Sequence, residues 1–129
     1  VQDVDNHYNP GDPYATIDFQ SIDTSLGTEK DFKFLIDSAH LKKMKVFLEM
    51  NLSYSGPAHE WRKEHPDFYL SSEEKSGMDY NKDYVRFDLS NPSLRKKLTK
   101  AVKYWCTKFD IDGIMLVNSH ELPKEFVLK

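Results

Sequence analysis

Apolar residues along the chain fall into two helical stripes and two short runs. Phe32, Leu35, Ile36 and Ala39 recur at i, i+3, i+4 and i+7, the spacing that lines one face of a helix, and this predicts a helix over 29–43. Thr28 stands where an N-cap is needed. Glu29 and Asp31 fill the first turn and Lys42 and Lys43 the last, each sign on the end the helix dipole favours. A second helix starts at Asn91, a capping residue, followed by Pro92 at the first helical position, where its missing N–H costs nothing. Leu94, Leu98, Ala101, Val102, Trp105, Cys106 and Phe109 form its stripe, with Lys96, Lys97, Lys100 and Lys103 mostly on the other face. A stripe this wide needs a substantial surface to pack against. Val46-Phe47-Leu48, with Met50 beyond, and Ile114-Met115-Leu116-Val117 after Gly113 are too short for helices and read as buried strands. Tyr84 to Leu89 alternates weakly and reads as a short extended piece, and Glu121 to Lys129 as the start of another helix.

Five regions follow from this pattern: a turn-rich loop over 1–28, a helix and strand over 29–50, an inserted loop region over 51–91, a helix and strand over 92–117, and the start of a next helix over 118–129. The loops carry clear turn signals in Asn9-Pro10-Gly11-Asp12-Pro13, Ser55-Gly56-Pro57, His65-Pro66 and Ser71 to Gly77. Helices alternating with apolar strands imply an α/β fold with a parallel sheet, in which a right-handed crossover sets the two strands side by side.

Composition narrows the function classes. The aromatic share of 13% argues against disorder, and no apolar run approaches the roughly 20 residues of a membrane span. The first residues show neither the basic region nor the apolar core of a signal peptide. A net charge of −3 disfavours a nucleic-acid partner. The single cysteine, Cys106, excludes an internal disulfide framework and a cysteine-based zinc site. Nothing calls for a cofactor or a metal. His59 and His65 with Glu60 and Glu64 match no metal-ligand spacing and read as solvated loop polars. His7 and His120 add no ligand pattern, and His40 sits at a helix end, where positive charge is favourable.

Several segments, taken in order, resemble the α-amylase superfamily of glycoside hydrolases (family 13). Tyr14 to Thr28 resembles that family's run into a barrel helix. Asp31-Phe32 through Ala39-His40 and Lys45 to Glu49 resemble a helix and the third barrel strand. Asn91-Pro92-Ser93-Leu94-Arg95 resembles the start of a later helix, and Phe109-Asp110-Ile111-Asp112-Gly113 the entry into the fourth strand. The resemblance implies a (β/α)8 TIM barrel, usually about 250 residues or more. This chain would then be a section of about two strand–helix units with a long loop between them, and it would need the remainder of the barrel for a complete fold.

Retaining glycosidases use two carboxylates, one nucleophile and one acid. The resemblance places the nucleophile and its orienting arginine on the fourth strand, where this chain has Val117 and Met115. Neither side chain can do that chemistry. Reading Asn118 instead would shift the strand by one residue and flip its faces. The third strand keeps a carboxylate at Glu49, but Ser53 replaces an asparagine that often ligates calcium in the family and Tyr54 a sugar-contacting histidine. By resemblance the general acid lies on the fifth strand, beyond Lys129. Tyr14 and Asp18 match substrate-facing positions, and Tyr54 and Trp61 are the further sugar-facing candidates. Trp61, Phe68 and Tyr69 read first as packing anchors of a long loop, and as a sugar-stacking platform second. Glu49 and Asp112 are the carboxylates a divergent hydrolase would recruit.

Lost catalytic residues, the short insertion and Ser53-Tyr54-Ser55-Gly56 followed by Trp61 resemble the ectodomains of heavy-chain subunits of heteromeric amino-acid transporters. The implied partner is a multispanning light chain, and the implied place the extracellular side of the plasma membrane. A secreted hydrolase and a carbohydrate-binding pseudoenzyme are the alternatives. Asn51-Leu52-Ser53 is a glycosylation sequon at a strand end, where little occupancy is expected.

Overall fold

A computed structural model describes residues 14–71 and 84–128. His7, the Asn9–Pro13 turn cluster and Ser72 to Gly77 lie outside the described residues. The elements are α1 (Glu29–Leu41), β1 (Phe47–Asn51), β2 (Tyr54–Ser55), α2 (Trp61–Glu64), β3 (Val85–Arg86), α3 (Pro92–Phe109), β4 (Gly113–Val117) and α4 (Lys124–Val127), with single 3-10 turns at Pro66–Phe68 and Ser119–Glu121. The last helix is thus only one turn, preceded by a 3-10 turn and Pro123, rather than a continuous helix from Glu121.

Both long helices start where their capping residues place them. The Thr28 hydroxyl accepts the Asp31 N–H while the Asp31 carboxylate accepts the Thr28 N–H, a reciprocal cap. The Asn91 side chain accepts the N–H groups of Ser93 and Leu94. α1 ends at Leu41, two residues before the end its lysines suggest. The Lys43 N–H donates to the His40 carbonyl and the Met44 N–H to the Ala39 carbonyl, which closes the helix in a Schellman turn. Lys43 takes the left-handed position of that turn, with φ 59°, a conformation that suits glycine.

β1 and β4 pair in parallel, Phe47 opposite Gly113 through Asn51 opposite Val117. Alternation then gives the pair two faces. Leu48, Met50, Ile114 and Leu116 belong to the apolar cluster built on Ile36, Leu94, Leu98, Ala101, Trp105 and Phe109, the stripes of α1 and α3. Phe47, Glu49, Asn51, Gly113, Met115 and Val117 share the other face, on which Phe47 is 62% and Met115 53% exposed. At the amino ends of the strands, Asp112 accepts the Val46 N–H, Lys45 Nζ (2.7 Å) and His40 Nε2 (2.8 Å). These bonds, Lys45 first, hold its carboxyl well below the ordinary carboxylate range and lock α1, β1 and β4 together. At the other end β2 pairs antiparallel with β3, and a Tyr69–Phe87 bridge extends the ribbon. It organises part of the inserted loop region, in which short pairing follows no strong periodicity.

Candidate functional site

In parallel α/β sheets ligands gather at the carboxyl ends of the strands. Here those ends carry Asn51 and Val117, paired with one another. The register puts Val117 on the same face as Glu49 and Asn51, and Met115 directly opposite Glu49. Asn118 lies past the strand in a left-handed conformation, φ 52°, and its amide donates to Tyr54 Oη at 2.8 Å. It contributes nothing to the face that Val117 occupies.

The carboxylate of Glu49 is claimed by Tyr14, whose hydroxyl donates to it at 2.6 Å. The two lie in a cleft of about 270 Å³ between the 14–21 loop and β1, with Thr16, Asp18, Ser21 and Asn51 among the walls. Asp18 accepts the Gln20 N–H at 2.8 Å and the Ser21 hydroxyl. Burial pushes its carboxyl up, but these two hydrogen bonds outweigh that and hold it below its ordinary value, so Asp18 is an anion at neutral pH. Asn51 is 5% exposed; its side-chain oxygen accepts the Ser53 N–H, while its amide nitrogen and the Ser53 hydroxyl have no hydrogen-bond partner among the described residues. The cleft therefore offers two carboxylates, a phenol and an amide donor. Val117 and Met115 are not among its walls. Tyr14, Asp18 and Glu49 come together as a group.

Tyr54 and Trp61 stand elsewhere. Tyr54 packs on Tyr84 with ring centroids 4.7 Å apart. Trp61 is half-buried in an aromatic cluster, 5.7 Å from Phe19, 4.5 Å from His59 and 5.8 Å from Phe68, with Lys97 Nζ 5.2 Å over its ring. Of the loop histidines, His59 is not a solvated polar: it is 2% exposed. Its Nδ1 accepts the Trp61 N–H at 3.1 Å, so Nε2 carries the proton of the neutral ring. Burial, with Lys97 nearby, pushes its pKa down to about 4 against the pull of Asp18. His65 stacks on Phe68 and meets Lys97 Nζ at 3.0 Å. The polar-looking loop sequence gave no sign of either ring's partners; Trp61, Phe68 and Tyr69, read first as packing anchors of the loop, are the signal that the segment packs inward.

Asp112 sits at the amino end of β4, bonded to Lys45 and His40. That is the far end from the cleft, so it is a structural tie and no candidate for a recruited nucleophile. Cys106 is a half-buried free thiol on the α3 stripe. Among the described residues no cluster of three or more His, Cys, Asp or Glu side chains is placed to hold a metal. No described helix is long and apolar enough to cross a membrane.

Comparison with known proteins bears on this frame directly. The family described as "Alpha amylase, catalytic domain" matches residues 5–84. A maltogenic alpha-amylase of Bacillus acidopullulyticus is 28% identical over 132 residues, covering 88% of this chain and 22% of that protein. The crystal structure of a maltogenic alpha-amylase, AmyB, from Thermotoga neapolitana is similar with a TM-score of 0.83 at 34% identity, over 92% of this chain and 28% of that one. An alpha-amylase from Geobacillus thermoleovorans, solved with acarbose, gives a TM-score of 0.78 at 28% identity, over 88% of this chain and 28% of its own. The chain thus spans between a fifth and three-tenths of these relatives, as a section of the TIM-barrel domain.

Proposed function

This chain belongs to the alpha-amylase catalytic-domain family, and from that membership we propose that its barrel keeps the family's frame while lacking hydrolysis. The observation that carries the reading is the β4 register: Val117 ends the strand on the face shared with Glu49, and Met115 stands opposite Glu49. A retaining glycosidase needs a carboxylate nucleophile, and valine has no atom that attacks a sugar carbon. Glu49 is not a ready substitute, since Tyr14 already donates to it. The role we infer is that of a heavy-chain ectodomain in a heteromeric amino-acid transporter, working at the extracellular face of the plasma membrane through a multispanning light chain. The short insertion and the Ser53-Tyr54-Ser55-Gly56 run with Trp61 support this.

The test is co-expression of the full-length protein with light-chain transporters, scored by surface delivery of the light chain. Light-chain surface levels that do not change on deleting the full-length protein would overturn the heavy-chain role. A second reading draws on the relatives named above, all alpha-amylases by their names. In it, the cleft of Tyr14, Asp18, Glu49 and Asn51 holds an α-linked glucan, with cleavage supplied by carboxylates elsewhere or absent. Titration of the full-length protein with maltooligosaccharides, followed through Trp105 and Trp61 fluorescence, separates binding from no binding.

A further inference from the structure

The 14–21 loop, which brings Tyr14 and Asp18 to the cleft, rests on the segment that leads into α2. The Gly56 N–H donates to the Thr16 carbonyl at 2.8 Å. The Phe19 ring, 5% exposed, lies against the His59 ring with centroids 5.5 Å apart, and the Trp105 indole N–H ties the Phe19 carbonyl to α3 at 2.7 Å. His59 is 2% exposed within this section alone, and the rest of a barrel can only bury it further. Its Nδ1 accepts the Trp61 N–H at 3.1 Å, a bond that only the neutral ring can make. An imidazolium carries a proton on both nitrogens, so its Nδ1 would meet the Trp61 N–H donor to donor. Nε2 has no hydrogen-bond partner among the described residues, so a cation would gain no acceptor on that side either. Among the described residues, Asp18 on the loop side favours the charged ring and Lys97 on α3 opposes it, while burial opposes it more than either. The charged ring therefore cannot stay where the neutral one sits.

We propose that His59 is an acid-operated positioning residue for the cleft: a proton taken from solvent onto Nδ1 drives the ring from beneath Phe19 and frees the 14–21 loop, with Tyr14 and Asp18, while α1, α3 and the strand pair stay folded. The Trp61 N–H loses its acceptor in that step, and the imidazolium exchanges buried contacts for water. The Tyr14 bond to Glu49 at 2.6 Å goes with the loop. The frame behind it does not, because the Asp112 tie and the apolar cluster of α1, α3 and the strands do not include His59. The size of the effect follows from linkage. A ring released to solvent titrates near 6.5, against about 4 in place, so a change from pH 7 to pH 4 favours the released form about a hundredfold. The inference does not depend on whether the cleft holds a glucan.

Hydrogen exchange of the full-length protein tests it, read by mass spectrometry at pH 7 and pH 4 and corrected for the intrinsic rate at each pH. The expected result is protection that falls by up to about a hundredfold in the peptides holding Gln20, Gly56 and Trp61, with the peptide around Leu98 on α3 unchanged. His59→Asn keeps a side-chain acceptor, His59→Phe keeps the packing, and neither titrates. In both variants the loop peptides should show no more pH response than the α3 peptide. Equal protection of the wild-type loop at the two pH values overturns the proposal. So does a response that either variant retains, which assigns the effect to carboxylates such as Asp18 and Glu49. Protection lost from α3 in step with the loop also overturns it, because acid would then be acting on the whole fold.

Discussion

Acidification should strike the loop around His59 before the rest of the fold. The imidazole is 2% exposed and rests on Phe19 and Trp61. Its pKa falls from 6.5 to about 4 on folding. Between those values the unfolded chain binds a proton that the folded chain refuses, so this contribution to stability is complete above pH 6.5 and is lost as pH falls toward about 4. One proton corresponds to about 1.4 kcal/mol per pH unit, so the whole window represents up to about 3 kcal/mol. Denaturant midpoints of the full-length protein, read by tryptophan fluorescence at a series of pH values, measure it. His59→Phe keeps the aromatic packing but cannot titrate. It also loses the acceptor for the Trp61 N–H, which lowers stability by a constant amount at every pH and leaves the slope alone. The expected outcome is a wild-type curve that steepens below about pH 6.5, with a variant curve flatter by up to one proton. Parallel curves would refute the argument that the ring is buried and neutral.

Three further outcomes follow from the packing. Lys43→Gly should raise stability by about 1 kcal/mol, because glycine takes the left-handed position of the α1 turn without the steric cost a lysine meets there; thermal denaturation checks it. Leu98, fully buried at 0% exposure between α3 and the sheet, should cost about 2–5 kcal/mol on replacement by alanine, visible as a lower denaturation midpoint. Asn51 should carry no glycan in folded protein, since its side chain is 5% exposed and bonded to the Ser53 backbone; mass spectrometry of the peptide holding Asn51 reads this directly.

Much of the frame was readable because it depends on local rules. The Thr28 and Asn91 caps, Pro92 and the 3.6-residue stripes place α1 and α3, and the two apolar runs place β1 and β4 within a residue or two. Parallel pairing followed from the alternation of helix and strand. That Val117 and Met115 share one face of β4 was also legible, since a period of two fixes which residues lie on the same side. What escaped depends on contacts between distant segments. The Tyr14–Glu49 bond joins residues 35 apart, and nothing in either neighbourhood announces it. His59 looked like loop chemistry because its neighbours Glu60, Arg62 and Lys63 are polar, whereas the ring is buried by Phe19 from another loop. The end of α1 was overrun because Lys43 gives no glycine signal at the position that terminates the helix.

The central claim is a family barrel without the family's hydrolysis, and catalysis tests it most directly. Full-length protein incubated with maltoheptaose should release no new reducing ends above the protein-free rate, at any pH at which the fold is stable. Turnover that disappears in Glu49→Gln or Asp18→Asn, with the fold intact, would contradict the account and return the chain to the hydrolases it is similar to.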